Sequence, residues 1–364
     1  MSRRSRPEGE LEGEYDERFA AVAQALAGYL DEGDTGGSVA VYVDGEPVVD
    51  VWGGYADPAR TVPWSRDTVA CVFSVTKTMT ALTVLLLADR GELDLDAPVA
   101  AYWPEFAVAG KGGVLVRHVL AHTAGLPDWD GPVAELVDWD AATRRLAALT
   151  PQWEPGTAAG YHSLTQGYLL GEVVRRVTGR SIGDVFASEV AGPLGADFRF
   201  GLPEGDDPRL ALAVPPPGRD DDYVAGAAAA DAPATGGTPI RVRDANGVAW
   251  RRALVPAAGG YGNARSVALV QSVLAGGVPL ISEAAVARAW EEQYAGVDRV
   301  LGMPVSWGLG YGRFGGMRGW GGWGGSLVMI EPAQRTVVAF VTNQMREPAE
   351  DTRGLEVVMS ALAR

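Results

Sequence analysis

Residues 72–91 read VFSVTKTMTALTVLLLADRG, a stretch in which polar and apolar side chains are mixed. Apolar side chains recur in it at helical spacing, at Val75, Met79, Leu82 and Leu86. This spacing predicts a helix that begins near Val75 and ends near Gly91. Its most apolar part, ALTVLLLA at residues 81–88, is far shorter than the ~20 residues that a membrane-spanning helix needs.

Ser74 and Lys77 lie at the start of this predicted helix, and their spacing places both side chains on one face. Lysine occurs only at Lys77 and Lys111, whereas nearly all other positive charge is arginine. A desolvated lysine can give up its proton and act as a base, which arginine cannot do. The pair is therefore a candidate nucleophile and base at a helix N-terminus, where an oxyanion is also favoured. The alternative is a capping serine beside a solvated lysine.

Strand patterns on both sides of this helix predict one antiparallel sheet. The runs SVAVYVD and EPVVDVWGGYAD meet at Asp44-Gly45, which is a strong hairpin signal. An amphipathic helix over residues 15–31 precedes the hairpin. The later runs WGLGYGRF, GWGGWGGSLVMIEP and RTVVAFVTN predict returning strands, followed by a final helix near LEVVMSALA.

The middle of the chain has a different pattern from its two ends. Residues 115–190 are predicted to be mostly helical, and residues 213–239, rich in Pro, Gly, Ala and Asp, to form a flexible loop or lid. The predicted fold class is α/β (α+β), an antiparallel sheet flanked by helices, with residues 1–84 and 240–364 forming one discontinuous domain. Residues 85–239 form a mostly helical insertion, and we expect a cleft between the sheet and the insertion.

Two later motifs add polar groups to this site. Tyr161-His162-Ser163 follows a turn-rich segment and precedes a helix, so Tyr161 is predicted to project from a loop tip into the cleft, where its phenol relays a proton. The run WGGWGG at residues 320–325 is predicted to open a strand, and its glycines let the backbone approach a bound group closely. Taken singly, a packed tyrosine and a glycine-rich bulge are the simpler interpretations.

Together and in this order, the three motifs resemble those of the penicillin-recognising serine hydrolases: class C β-lactamases, DD-peptidases and family VIII carboxylesterases. The resemblance extends from the first helix through HTAGLP at residues 122–127 to the last strand, and it is closest to the esterase branch. It implies a β-lactamase/transpeptidase-like fold and a serine hydrolase. In that enzyme Ser74 is acylated, Lys77 is its base and Tyr161 passes a proton to the leaving group.

The third motif separates the branches of this family. β-Lactamases carry Lys-Thr-Gly there and many relatives His-x-Gly, whereas the esterases carry Trp-Gly-Gly, as this chain does at residues 320–322. The resemblance implies an oxyanion hole formed by the backbone N–H groups of Ser74 and Trp323. It also implies a set of substrate-binding residues, with the last two as weaker pocket candidates: Ser163, Trp320, Gly321, Gly322, Tyr261 and Asn343.

Two departures from the β-lactamase pattern bear on the substrate. Ser163 stands where β-lactamases and peptidases usually have Asn, which weakens a contact with a substrate amide. Trp320 replaces a cationic Lys or His that holds a substrate carboxylate, and a lost charge-assisted hydrogen bond costs about 1.5–3 kcal/mol. We therefore predict a carboxylesterase that acts on neutral esters of short or medium acyl groups.

Two other functions stay open at the level of sequence. Within the enzymes, the alternative is a β-lactamase or a D-amino-acid peptidase or amidase. Outside them, the alternative is a catalytically silent binding or sensor module that uses the same cleft. Hydrolysis of nitrocefin and labelling of Ser74 by an ester or fluorophosphonate probe separate these alternatives.

Two apparent motifs point elsewhere but lack the right context. Gly179–Gly183 matches the nucleophile elbow G-x-S-x-G, yet a helix rather than a strand precedes it, and Ser181 is predicted to cap the next helix. His118 and His122 are four residues apart, but the chain has only one other His and one Cys. No metal and no cofactor are predicted, and His122 is expected to bond backbone groups at a helix end.

Composition excludes several function classes. The net charge of −15 and the pI near 4.7 disfavour binding to nucleic acid or to an anionic membrane. The single cysteine, Cys71, rules out an intramolecular disulfide. The first residues, MSRRSRPEGELEGEYDERF, lack the apolar stretch of a secretory signal, so a cytoplasmic protein with a small-molecule acyl substrate is expected. The sequence leaves the oligomeric state unknown.

Overall fold

A computed structural model describes residues 11–224, 240–348 and 350–363. The strands are β1 (Glu12–Tyr15), β2 (Gly36–Val43), β3 (Glu46–Gly54), β4 (Val69–Cys71), β5 (Phe198–Phe200), β6 (Leu210–Ala211), β7 (Gly260–Gly262), β8 (Tyr294–Val297), β9 (Pro304–Trp307), β10 (Gly312–Phe314), β11 (Met317–Gly321), β12 (Leu327–Glu331) and β13 (Thr336–Thr342). The helices are α1 (Ala20–Asp31), α2 (Thr76–Asp89), α3 (Val99–Tyr102), α4 (Val116–Leu120), α5 (Trp139–Ala148), α6 (Thr165–Thr178), α7 (Ile182–Phe186), α8 (Gly192–Leu194), α9 (Val242–Asn246), α10 (Val248–Arg252), α11 (Ala264–Gln271), α12 (Glu283–Ala289) and α13 (Arg353–Leu362).

A nine-stranded antiparallel sheet runs in the order β1-β3-β2-β13-β12-β11-β10-β9-β8. The predicted hairpin is confirmed: β2 and β3 pair through the Asp44-Gly45 turn, where both residues have positive φ, 53° and 82°. This conformation suits the Asp-Gly pair, because a two-residue hairpin turn of this type requires positive φ at both positions. The C-terminal strand β13 pairs with β2, so the two ends of the chain join in one sheet, as predicted.

Helices cover both faces of the sheet around β2 and β13. On one face α1 and α13 pack over Val39, Val41 and Phe340, and on the other α11 packs over the same two strands. All seven residues of β13 are buried, as expected for a strand covered on both sides. This layered arrangement confirms the predicted antiparallel sheet flanked by helices.

Helix α2 lies at the centre of the helical region, and α6, α7, α11 and α12 contact it. The predicted helix is confirmed, and every side chain from Thr76 to Leu87 is buried. The threonines tolerate burial because their hydroxyls have carbonyl partners: Thr78 Oγ1 donates to the Val75 carbonyl at 2.7 Å and Thr80 Oγ1 to that of Pro256 at 2.6 Å. The enclosed helix holds the segment at its N-terminus firmly.

The middle of the chain is helical only in part. Helices α4 to α8 lie between residues 116 and 194, but residues 121–132 and 149–164 are largely irregular. A small sheet in the order β5-β7-β4-β6 takes strands from both sides of the predicted domain boundary, so the division into residues 1–84 with 240–364 and 85–239 stays a prediction. Most of the predicted loop or lid, residues 225–239, lies outside the described residues.

Two further observations concern the G-x-S-x-G match and the possibility of a membrane-spanning helix. Ser181 Oγ accepts the Asp184 N–H at 3.0 Å and caps α7, so the Gly179–Gly183 match is a helix start, as predicted, and not a nucleophile elbow. Among the residues that the structure describes, no helix is both long enough and apolar enough to cross a bilayer.

Candidate active site

Ser74 lies in a single 3-10 turn, Phe73–Val75, that leads directly into α2. The residue before it, Phe73, has φ of +44°, a left-handed conformation that is unusual for an aromatic residue and that turns the chain sharply into the helix. Lys77 is in the first turn of α2, and its Nζ lies 3.0 Å from Ser74 Oγ. The predicted nucleophile and base are therefore within hydrogen-bond distance.

Lys77 is 1% exposed, and its Nζ also contacts the backbone carbonyls of Ser163 at 2.6 Å and Ala257 at 3.0 Å. Burial lowers the pKa of Lys77 well below the ordinary value of 10.5. A neutral amine has two N–H donors and one lone pair. The two carbonyls take the two N–H groups, so the lone pair faces the Ser74 hydroxyl and can accept its proton.

Tyr161 lies on the irregular segment between α5 and α6, and its hydroxyl contacts both Ser74 and the third motif. The hydroxyl oxygen accepts the Trp320 Nε1–H at 2.8 Å. Burial raises the pKa of Tyr161 above its ordinary value, against smaller opposing effects of its hydrogen bonds with Ser74 and Trp320. Because its oxygen accepts from Trp320, the phenol can direct its own O–H toward Ser74. The three predicted catalytic groups thus come together.

Aromatic and imidazole rings surround the Tyr161 phenol. The Trp307 ring stacks on it almost in parallel, at 9° with centroids 6.0 Å apart, and the His122 ring lies 4.8 Å away. As expected, His122 bonds a backbone group beyond the end of α4, since its Nδ1 accepts the His162 N–H at 3.0 Å. Burial lowers the pKa of His122 well below 6.5, so the imidazole adds no positive charge beside the phenol.

The third motif joins two strands: β11 ends at Gly321, and a turn leads into β12 at Leu327. The run therefore precedes a strand, as predicted, but its first two residues also close another one. A Cβ on Gly322 would lie 2.2 Å from the Val72 carbonyl oxygen, which shows how closely this backbone approaches the segment before Ser74. The hydrogen bonds from Gly322 N–H to Ser326 O and from Gly325 N–H to Gly322 O close the turn. Neither bond uses the N–H of Trp323, the predicted oxyanion donor.

The sequence and the site geometry together agree with one family of proteins. The family model described as Beta-lactamase matches residues 22–363. The chain belongs to the Beta-lactamase family. The predicted resemblance and fold are thereby confirmed.

Similar members of the Beta-lactamase family include esterases. "Esterase/beta-lactamase LipL" of Mycobacterium tuberculosis is 37% identical over 92% of this chain and 83% of that protein. "Esterase EstB" of Burkholderia gladioli is 31% identical over 71% of this chain and 69% of that protein. A crystal structure of a family VIII carboxylesterase superposes with a TM-score of 0.88 at 38% identity, over 97% of this chain and 99% of that one.

The structure brings some of the predicted substrate-binding residues to Ser74 and places others elsewhere. Ser163 reaches the site through its carbonyl, which binds Lys77, and Trp320 through its indole N–H, which binds Tyr161. Tyr261, in contrast, is 1% exposed and packs in a separate cluster with Val69 and Leu202. Its assignment to the pocket is not supported.

Asn343, the other weak pocket candidate, lies just after β13. Its Nδ2 donates to the Tyr55 carbonyl at 3.2 Å, and its backbone carbonyl accepts the Val214 N–H at 2.8 Å. These contacts hold two segments near the end of the sheet together, so the pocket assignment of Asn343 is not supported either.

The histidine pair does not form a metal site. His118 Nδ1 accepts the Leu115 N–H at 3.3 Å at the start of α4, whereas His122 faces Tyr161. Within the described ranges, no three His, Cys, Asp or Glu side chains are grouped so that they could hold a metal ion.

Sequence analysis missed two residues that contact Tyr161. Trp307, at the end of β9, stacks on the phenol, and the Asp298 carboxylate accepts the Tyr161 backbone N–H at 3.0 Å. An aromatic residue at a strand end is a weak signal of such a role. Asp298 lies in the run GVDRVLG, which by sequence is indistinguishable from a solvated turn.

Proposed function

We propose that this chain is a serine carboxylesterase that cleaves neutral esters of short or medium acyl groups through an acyl-Ser74 intermediate. The observation that carries the proposal is the buried Lys77 amine, 3.0 Å from Ser74 Oγ and bonded otherwise only to the carbonyls of Ser163 and Ala257 among the described residues. No carboxylate among these partners holds the amine in its charged form, so the nitrogen can serve as a base near neutral pH.

In acylation, the Lys77 amine accepts the Ser74 proton while Oγ attacks the ester carbonyl carbon. The Ser74 and Trp323 N–H groups stabilise the negative charge that develops on the carbonyl oxygen. When the bond to the alcohol oxygen breaks, Tyr161 donates its proton to that oxygen and then recovers a proton from the Lys77 ammonium. The Trp320 N–H stabilises the phenolate while it exists.

In deacylation, the same groups act in the opposite direction. Tyr161 passes its proton to the Lys77 amine and accepts one from water as the water oxygen attacks the acyl carbon. The Ser74 oxygen then leaves and recovers its proton from Lys77. The sum is one ester and one water converted to one acid and one alcohol, with every catalytic group restored.

Selectivity for neutral esters is supported by the surroundings of the third motif. Trp320 stands where β-lactamases have a lysine and donates its indole N–H to Tyr161. The next aromatic residue, Trp323, packs against Phe73 at 5.0 Å and stacks on Tyr223 at 5.8 Å. An apolar wall of this kind favours an uncharged acyl or alkyl group over a carboxylate. The names of the similar proteins, two esterases and a carboxylesterase, agree with this preference.

The test is rapid mixing with p-nitrophenyl butyrate, followed by mass spectrometry of the intact protein. We expect a burst of nitrophenol and one added butyryl group, both absent in Ser74→Ala. Ser181→Ala is the matched control, because it removes the other motif serine and costs only a helix cap of about 1 kcal/mol. Normal turnover by Ser74→Ala would refute the proposal.

The alternatives have their own outcomes. Faster hydrolysis of nitrocefin than of p-nitrophenyl butyrate would favour a β-lactamase, an activity that the name of the Mycobacterium tuberculosis relative includes. Failure of a fluorophosphonate probe to label Ser74 would favour a binding module. The cytoplasmic location and the small-molecule acyl substrate stay predictions, which cell fractionation and substrate profiling test.

A further inference from the structure

Asp298 is a buried carboxylate just after β8, and it is 0% exposed. Its Oδ1 accepts three backbone N–H groups, those of Tyr161 at 3.0 Å and of Val300 and Leu301 at 2.9 Å each. Its Oδ2 accepts the Trp307 Nε1–H at 3.3 Å. An ionised carboxylate has about four acceptor positions, and all four partners here are N–H donors.

These four bonds connect the two elements that fix the Tyr161 phenol. One bond fixes the backbone of Tyr161 itself, and another fixes the indole of Trp307, whose ring stacks on the phenol at 9°. A second hydrogen bond joins the same two segments, because the Arg299 N–H donates to the Ala159 carbonyl at 2.8 Å. The turn after β8 is thus attached to the Tyr161 segment at two neighbouring points.

We infer that Asp298 is a positioning residue that holds the Tyr161 phenol in line with Ser74 for proton transfer to the leaving group. The inference rests on the proposed function, in which Tyr161 is the proton donor. Asp298 acts through geometry, since its carboxylate contacts the Tyr161 backbone and the Trp307 indole and not the reacting atoms. The negative charge of Asp298 adds to the effect of burial that raises the pKa of Tyr161, so the phenol is protonated before the leaving group departs.

The choice of leaving group separates positioning from general structural damage. A p-nitrophenolate leaves without protonation, whereas an alkoxide must be protonated as it leaves. A misplaced phenol therefore slows the cleavage of ethyl butyrate more than that of p-nitrophenyl butyrate. The measured quantity is the ratio of kcat/KM for these two esters, in the unmodified protein and in each variant.

Asp298→Asn keeps the shape but places an amide N–H₂ against an N–H donor, either that of Trp307 or those of the backbone. We expect kcat/KM for ethyl butyrate to fall by up to about 100-fold and that for p-nitrophenyl butyrate by a much smaller factor. The matched control is Glu172→Gln. Glu172 is likewise buried, at 1% exposed, and accepts a tryptophan N–H, that of Trp139 at 2.9 Å, and its loss should leave the ratio unchanged.

Tyr161→Phe gives the reference ratio and tests the proposed function separately. If Tyr161→Phe slows both esters equally, the proton-donor role of Tyr161 fails, whatever Asp298 does. If Tyr161→Phe changes the ratio while Asp298→Asn does not, or if Glu172→Gln changes it as much, the inference on Asp298 is overturned. Should Asp298→Asn not fold, Trp307→Phe removes one of the four bonds and must change the ratio in the same direction; an unchanged ratio overturns the inference.

Discussion

The two lysines of this chain are both buried, yet only one of them faces a nucleophile. Lys77 is 1% exposed and Lys111 0%, and burial lowers the pKa of both side chains. Lys111 Nζ donates to the backbone carbonyls of Val108 and Leu149 and lies 5.2 Å from the centre of the Phe106 ring. Lys77 likewise has two carbonyl partners, but its third partner is the Ser74 hydroxyl.

The difference shows that desolvation alone does not make a lysine catalytic. At both positions carbonyl oxygens satisfy the amine. At Lys111 they include the carbonyl that follows α5, so this lysine links two irregular segments. At Lys77 the Ser74 hydroxyl takes the remaining position of the nitrogen, which is the arrangement that the proposed base requires. Four predictions test this difference between Lys77 and Lys111.

The largest effect is expected for Lys77→Met, compared with Lys111→Met. Lys77→Met removes the only base next to Ser74 in the proposed mechanism, so kcat/KM for p-nitrophenyl butyrate should fall by at least about 1000-fold. Fluorophosphonate labelling of Ser74 should be lost as well. Comparable activity in the two variants would show that Lys77 is not the base.

The pH dependence of kcat/KM should be set by the ionisation of Lys77 and should not depend on Lys111. The base must be neutral, so activity rises with pH through the lowered pKa of Lys77 and falls about tenfold per pH unit below it. Burial raises the pKa of Tyr161, so the phenol keeps its proton over the same range. We expect the acidic limb well below pH 10.5 and at the same position in Lys111→Met; a limb near 10.5 would contradict a desolvated base.

A third lysine, introduced as Trp320→Lys, should shift the substrate preference of the site toward substrates that carry a carboxylate. The added cation can bind a substrate carboxylate, and a charge-assisted hydrogen bond of about 1.5–3 kcal/mol corresponds to roughly 10- to 100-fold in KM. We expect KM for nitrocefin to fall while turnover of p-nitrophenyl butyrate decreases. Trp320→Met is the control for loss of the indole alone, and an equal gain in that variant would show that charge is not the cause.

The smallest effect on activity is expected for Lys111→Met. Two partly buried carbonyls lose their donor, which should lower the free energy of unfolding in urea by about 1–3 kcal/mol, with kcat/KM within twofold of the unmodified protein. Because the pKa of Lys111 is lower in the folded protein, the unfolded chain binds more protons, and the stability that Lys111 provides increases with pH up to about 10.5. The difference in the free energy of unfolding between the unmodified protein and Lys111→Met should therefore increase as the pH rises. A difference that decreases with pH would contradict the lowered pKa of Lys111.

Much of the site was predictable because it depends on local spacing. Ser74 and Lys77 are one helical turn apart, so their contact follows from the helix alone. The Asp44-Gly45 hairpin is likewise local, since its turn type follows from the two residues. The burial of α2 on all sides was not predictable, because the carbonyls that accept its threonine hydroxyls include that of the distant Pro256.

The residues that sequence analysis missed or misplaced depend on distant contacts. Asp298 binds the Tyr161 N–H across 137 residues of sequence, and no local pattern marks such a pair. Tyr261 and Asn343 were placed in the pocket by resemblance, but strand pairing in the small sheet and the end of β13 set their surroundings. Such positions follow from how the sheets assemble rather than from the residues beside them.

The close approach of Gly322 to Val72 has a practical consequence for altering substrate preference. Any side chain at position 322 overlaps a carbonyl oxygen at 2.2 Å, so a library randomised there would consist mainly of inactive clones. Directed evolution of this enzyme for new acyl donors should therefore keep 322 as glycine.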